Sequence, residues 1–441
     1  MTGGFLFFNK ATASKLEVLG NNLPPIQIEP DKSTGLNSIF VVSELNNSVL
    51  RYKTNSPQEV RVSYYSNLGA AYATPINSLT YDGEYIYINN PIGDVGYIFS
   101  ENNSNEYFWI VDYSKHEYVP GALRISESGG CDETILDFNG SAGPINYFSI
   151  NGRQLILSRE LDLSYSSLEF DETTHQFIEK EYEKNIASIN DKISISPPVT
   201  CSTEFLLQGD RFLDIWNKMK SINCFLSNPV AISVKTEAAE EDDQSDSSDS
   251  SNQISQDSDD LGGSAPATIS FTSYLSDAVV HCEWQMAHDE SFEDIIYRFT
   301  QQDLTYTFTS EGTVYVRFIG SNADGTCEAY GDTYTVNIGA SELLIPNAFS
   351  PNGDGINDEW KVSYKSLIDF NCWIFDRHGH ELFHFSDPKI GWNGTYNGKK
   401  VSPGVYYYVI SAKGSDGKKY NRSGDINIVN SKGNYTTSNG E

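Results

Sequence analysis

Residues His380-Glu381-Leu382-Phe383-His384 have the H-E-x-x-H spacing of zinc proteases. That chemistry needs a helix, because residues i and i+4 then share one face and reach one metal. On a strand the two imidazoles would stand roughly 13 Å apart at ~3.3 Å per residue, too far for a shared ion. Gly379 directly precedes the motif and no third-ligand signature follows it. A second cluster, Asn352-Gly353-Asp354-Gly355-Ile356-Asn357-Asp358, alternates oxygen-bearing side chains with glycine and so offers calcium ligands at Asn352, Asp354 and Asp358. It lacks the opening Asp and the position-twelve Glu of a calcium loop. Asx side chains bonding their own backbone in a tight turn are the preferred reading. No metal or cofactor is expected, calcium being the one ion for which these residues offer ligands.

Other catalytic signatures are missing. There is no G-x-S-x-G, no Walker loop, and no C-x-x-C pair among the six cysteines at 131, 201, 224, 282, 327 and 372. Cys282 and Cys327 fall in one expected domain and form the candidate disulfide, with Cys201–Cys224 a weaker pairing. Exposed tyrosines of the Tyr64-Tyr65, Tyr72 and Tyr85 kind offer stacking faces for sugars, although sheet packing is the commoner use of such rings.

The elements that position these residues are strands. Tyr (27), Phe (23) and Gly (34) are abundant and Met (3) is rare, the balance of short strands and tight turns in an all-β protein. The expected architecture is a string of immunoglobulin- or fibronectin-III-like β-sandwiches. Residues 24–116 read as one sandwich and 117–236 as a β-rich domain. The latter holds one helix near 210–222, capped by Asp210, with Phe212, Ile215, Trp216, Met219 and Ile222 on one face. Residues 265–340 read as an immunoglobulin- or fibronectin-III-like module with Trp284 in its core. A last module follows at 341–430, and residues 431–441 form a tail.

Charge is unevenly spread. Lys+Arg 30 against Asp+Glu 60 gives a net charge of −30, which repels phosphate backbones and excludes nucleic acid as a partner. Residues 237–260 hold ten acidic and no basic residues, whereas 343–441 hold ten acidic and eleven basic. Residues 237–264 therefore read as a disordered acidic linker. No apolar run is long enough to span a bilayer. At the N-terminus, Gly3-Gly4-Phe5-Leu6-Phe7-Phe8 and Ala11-Thr12-Ala13 resemble the end of a signal peptide, so residues 1–23 are taken as an apolar leader remnant.

One resemblance is specific. Pro346-Asn347-Ala348-Phe349-Ser350-Pro351 leads into the Asn352–Asp358 cluster. Then come Ile374-Phe375-Asp376-Arg377-His378-Gly379, Gly391-Trp392-Asn393-Gly394-Thr395 and Pro403-Gly404-Val405-Tyr406. This ordered series resembles the gliding motility-associated C-terminal domain of Bacteroidetes proteins, the type B sorting domain of the type IX secretion system, over about residues 343–430. The resemblance implies that Asn352, Gly353, Asp354, Gly355, Asn357 and Asp358 shape the signature turn. It implies structural roles for Arg377, Gly379, Trp392, Gly394, Gly404 and Tyr406. The chain departs from the family at His378, where Trp is usual, and at Asp376, where Asn is usual. The resemblance also places His380–His384 on a strand, which removes the zinc reading.

The implied partner is the type IX translocon, and the implied destination is the cell surface or medium. The expected function is that of a non-enzymatic, exported multidomain protein, an adhesin or a binder of a glycan, host or matrix ligand. The alternatives are a secreted hydrolase with its site in residues 24–236, and a component of the gliding or secretion apparatus.

Overall fold

The computed structural model describes residues 14–241, 252–254 and 261–429. The sequence-expected leader up to residue 13, most of the acidic run and the tail from 430 lie outside the described residues. The chain divides into two compact units, residues 1–169 with 178–231, and residues 170–177 with 232–441.

The first unit holds two sandwiches. In the first, a four-stranded sheet runs Leu16–Leu19, Val49–Lys53, Tyr85–Asn89, Thr80–Asp82. It faces a six-stranded sheet ordered Ile26–Ile28, Ser38–Val42, Ser104–Asp112, Val95–Glu101, Arg61–Tyr65, Thr74–Pro75. All five residues of Ser38–Val42 are buried, instead of alternating in and out. Phe40, Val42, Phe99 and Phe108 pack towards the four-stranded sheet. Ile39, Val41, Trp109 and Val111 pack towards the second sandwich, in one core with Phe138, Leu163, Phe205 and Phe212. A sheet covered on both faces needs apolar residues at successive positions, and Ser38-Ile39-Phe40-Val41-Val42 nearly supplies them. The two sandwiches thus share a core and are not the separate bodies that the pattern suggests. Leu16 and Val18 are core residues, so the first sandwich begins inside the expected 1–23 leader.

The expected 13-residue helix is shorter. Arg211–Ile215 is helical, and Asp210 caps it by accepting from the Leu213 amide at 3.2 Å. Asn217 takes a left-handed conformation (φ 54°), and the Lys218 amide bonds back to the Leu213 carbonyl at 2.7 Å. That turn ends the helix, and Lys220–Leu226 leaves as a strand. Phe212, Leu213 and Trp216 are buried, while Ile215 and Met219 are exposed. The apolar stripe was real only over its first turn.

The second unit also holds two sandwiches. The first strand of the third, Val234–Glu240, pairs along its whole length with Ala267–Leu275. Leu261–Gly263 pairs in parallel with Tyr334–Ile338. Residues 237–241 and 261–264, expected in the linker, are therefore parts of this sandwich. The acidic run lies between strands of one domain and not between two domains. Its threonine- and alanine-containing start, Thr236-Glu237-Ala238-Ala239, has enough buried contact for Thr236 and Ala238 to hold a strand despite the charges. Trp284 fills the centre of this core, edge-on to Phe318 at 5.0 Å, with its indole N–H donating to the Gln302 carbonyl at 2.9 Å.

Cys282 lies in the strand His281–Ala287, half-buried on the core face with Trp284 and Met286, and its thiol is free. Cys327 sits beyond the Asn322 turn, its amide held on the Asn322 side chain at 3.2 Å, and is disulfide-bonded. The expected Cys282–Cys327 bridge is not formed, because Cys282 stays a free thiol on the core face while the Cys327 sulfur is already bonded. Cys224 is likewise a free thiol, pushed up to about 11 by burial.

In the last sandwich a five-stranded sheet runs Ala348–Phe349, Lys419–Ile428, Gly404–Gly414, Leu367–Phe375, Glu381–Phe385. A two-stranded sheet pairs Glu342–Leu344 with Ser363–Lys365.

Candidate functional site: the C-terminal signature and its supporting cluster

The signature turn is built from its own side chains. The Asp358 carboxylate accepts the backbone amides of Gly353 (2.6 Å) and Gly355 (2.7 Å). Asn352 Oδ1 accepts the Asp354 amide (2.9 Å), and Asp354 Oδ1 accepts the Ile356 amide (2.9 Å). Asn352 Nδ2 donates to the second Asp354 oxygen at 2.8 Å. The Gly353 amide, then the Gly355 amide, hold the Asp358 carboxyl below its ordinary range. Gly353 and Gly355 take φ of 84° and 85°, which side chains avoid. Asn357 too is left-handed, at 53°, and its carbonyl accepts the Ser350 amide at 2.8 Å. Each oxygen offered for calcium accepts a hydrogen bond from within the loop.

Behind the turn, residues far apart in sequence converge. Trp360 and Trp392 exchange both backbone hydrogen bonds, at 2.9 and 3.0 Å, and both are buried. The Trp360 indole donates to the Pro346 carbonyl at 2.7 Å, and the Trp392 indole to the Thr395 carbonyl at 3.0 Å. Trp392 stands between Phe349 (5.6 Å) and Tyr406 (5.3 Å), and Trp360 against Tyr408 (5.3 Å). Gly394 is left-handed (φ 74°) and a Cβ there would press on Phe349 and Pro351 at 3.3 Å. Gly404 opens the strand that carries Tyr406, opposite Ile428. The fold therefore brings Trp392, Gly394 and Tyr406 together with Pro346, Phe349 and Trp360. Phe349 and Trp360, at either end of the polar cluster, were not singled out from sequence. Their signal was their position as the large apolar residues flanking a polar loop.

Arg377 and Gly379 belong elsewhere, at the tip of the hairpin Leu367–Phe375/Glu381–Phe385. Here Asp376 organises the turn, accepting the amides of His378 (2.7 Å) and His380 (2.9 Å) and bonding His380 Nδ1 at 3.0 Å. His380, then these amides, hold the Asp376 carboxyl down to about 2. Arg377 Nε lies 3.1 Å from His378 Nε2. His384 is on the strand Glu381–Phe385, stacked on Trp373 at 4.8 Å and 3.3 Å from Asn371 Oδ1. The two histidines of the H-E-x-x-H match have separate partners.

The first unit has its own polar centre. Arg159 and Asp210, at 1% and 0% exposure, pair at 2.7 Å. Arg159 also donates to the carbonyls of Gly143 (2.7 Å) and His116 (2.5 Å), and Tyr113 donates its hydroxyl to Asp210 at 3.0 Å. Burial, then the Asp210 charge, pushes the Tyr113 phenol up, so it remains a neutral donor. Every oxygen of this carboxylate is engaged and solvent has no path to it. The stacking tyrosines are divided: Tyr65 is buried against Trp109, whereas Tyr72 is 72% exposed. On the outer face of the four-stranded sheet, Arg51 lies over Tyr85 at 4.8 Å, Tyr85 lies 6.3 Å from Tyr87, and Arg51 Nε donates to Glu17 at 2.8 Å.

Two families match parts of the chain. Residues 343–428 match the CHU_C Type IX secretion signal domain, and residues 124–224 match a fibronectin type III domain. The C-terminal domain is thus a type IX secretion signal, and the protein is exported to the cell surface or extracellular space. In front of the signal stands a string of fibronectin- and immunoglobulin-like sandwiches. The fibronectin match falls on the second sandwich, which the sequence pattern showed only as β-rich. No described helix is long and apolar enough to cross a membrane. No curated protein matches the chain. Solved structures similar to it include a tetra-tandem repeat from the extending region of a large adhesion protein, at 11% identity, covering 88% of this chain and 97% of that one, TM-score 0.21. The FN1–FN3 domains of chicken CNTN1 are 11% identical over 70% of this chain and 98% of theirs, TM-score 0.24. Sidekick-1 immunoglobulin domains 1–5 are 12% identical over 89% and 78%, TM-score 0.25. At such TM-scores these likenesses carry no argument.

Proposed function

We propose that the protein is a non-enzymatic surface or secreted ligand-binding protein, an adhesin whose N-terminal sandwiches meet a glycan or matrix polymer once the type IX translocon has exported the chain. The observation that carries this reading is the outer face of the four-stranded sheet. Tyr85 and Tyr87 present adjacent, mutually tilted rings there, with Arg51 over Tyr85 and held by Glu17. Aromatic rings that pack on sugar faces, beside charged groups that bond hydroxyls, suit a polysaccharide. The Arg159–Asp210 pair is structural in this reading, since a carboxylate fully engaged and closed from solvent cannot serve as acid or base on a substrate.

The test is polysaccharide co-sedimentation with the full chain and with Tyr85→Ala/Tyr87→Ala. Retention that falls at least about tenfold in the variant supports the reading. Equal retention, no retention by either protein, or release of reducing sugar by the wild type overturns it.

A further inference from the structure

Residues 252–254, in the middle of the acidic run, lie on the C-terminal domain in extended form, through a single β-bridge. Gln253 pairs in parallel with Tyr364. The Tyr364 amide donates to the Asn252 carbonyl at 3.1 Å, and the Ile254 amide donates to the Tyr364 carbonyl at 2.7 Å. Tyr364 is opposite Leu343 in the two-stranded sheet. Its two backbone groups turn away from that partner to the free edge, and the segment takes both. Asn252 adds a side-chain lock, since Nδ2 donates to the carbonyls of Val362 and Pro388, each at 2.6 Å. Asn252 and Ile254 are half-buried and Gln253 is exposed, the alternation of a strand laid on a surface. Asn252 also forms part of the wall of a cleft of about 720 Å³ whose remaining lining includes Pro346, Phe349, Asp358 and Lys361 of the signature segment.

We propose that the edge Val362–Lys365 is an acceptor site for an extended, uncharged peptide of the pattern Asn-x-aliphatic, and that the chain fills it in cis with its own Asn252–Ile254. The bound segment itself defines what fits. A strand running parallel to Val362–Tyr364 satisfies the Tyr364 backbone, an asparagine bridges two carbonyls, and an aliphatic residue two positions on shares its face. Between Glu240 and Leu261, Ile254 is the one aliphatic residue in the sequence. Charge surrounds the strap on both sides and is absent from it. Ten residues (242–251) join it to Glu241 and six (255–260) to Leu261, so its binding is intramolecular and a free peptide must compete with it. A partner strand must displace the strap to enter beside the signature turn, which makes the edge guarded until such a strand is offered.

Hydrogen exchange on the full chain reads the guard directly, and a fluorescent peptide of residues 250–256 reads the acceptor. Asn252→Ala with Ile254→Pro removes the lock and the amide that bonds Tyr364. Exchange across residues 362–366 is expected to be slow in the wild type and at least about tenfold faster in the variant. The peptide should bind the variant saturably and the wild type about tenfold more weakly or worse. A peptide with the asparagine changed to alanine should lose about tenfold on the variant. Equal exchange in wild type and variant overturns the strap. Faster exchange without saturable peptide binding, or binding indifferent to the asparagine, overturns the acceptor site.

Discussion

Arg159–Asp210 in the first unit and the Asn352–Asp358 turn in the last domain are both carboxylate-centred networks, and they are built in opposite ways. Asp358 accepts amides three and five residues away, in an exposed loop. Asp210 receives Arg159 from 51 residues away and Tyr113 from 97, at near-zero exposure. The local network is set by short-range turn chemistry. The long-range one is worth having only if every partner arrives, because each charge left alone in the interior is costly. The difference teaches where each region can fail: the turn loosens, while the buried centre collapses.

Arg159→Met is the largest expected effect. It leaves Asp210 buried without its cation and should cost about 3–5 kcal/mol in the denaturant transition of the first unit, followed by tryptophan fluorescence. A loss below about 1 kcal/mol would erase the contrast. Trp392→Ala comes next, removing the centre of the ring cluster behind the turn. It should cost about 3–4 kcal/mol in the C-terminal domain and leave the first unit's transition where it was. Retained export of that variant would separate the signal from its packed core.

The smallest effect is acid-dependent and local. The Asp376 carboxyl is held from its ordinary 3.8 down to about 2 by His380 and two amides. A depressed carboxyl pKa stabilises the folded state above its unfolded value, and that stability is lost as pH falls through the folded one. The hairpin tip should therefore loosen between about pH 4 and 2. Faster exchange at the His378 and His380 amides across that window would show it, and Asp376→Asn should flatten the response. A response centred near neutral pH would assign the turn to its histidines instead.

Much of the last domain was legible in the sequence because its signature is local. Gly353, Gly355 and Asn357 occupy positions whose φ the chain must make positive, and Asp358 lies within reach of the amides it caps. The stripe at Phe212–Ile222 misled because periodicity does not register a left-handed residue, and Asn217 ended the helix after one turn. The acidic run looked like a linker because composition reports solvation but not pairing. Val234–Glu240 is a strand through its ladder with Ala267–Leu275. Cys282 and Cys327 were consecutive cysteines in one expected domain, but disulfide geometry depends on where the fold puts each side chain.

The β class, the turn chemistry of the signature and, through that ordered series of motifs, the export address are legible in the chain alone. These are properties of spacing, charge and backbone preference over a few residues. Only the tertiary structure decided that the first two sandwiches share a core and that Arg159 finds Asp210. It alone placed Trp360 against Trp392, and the edge at Tyr364 under Asn252–Ile254. Those contacts join residues tens to more than a hundred positions apart, and burial, which gives them their strength, exists only once the chain has folded around them.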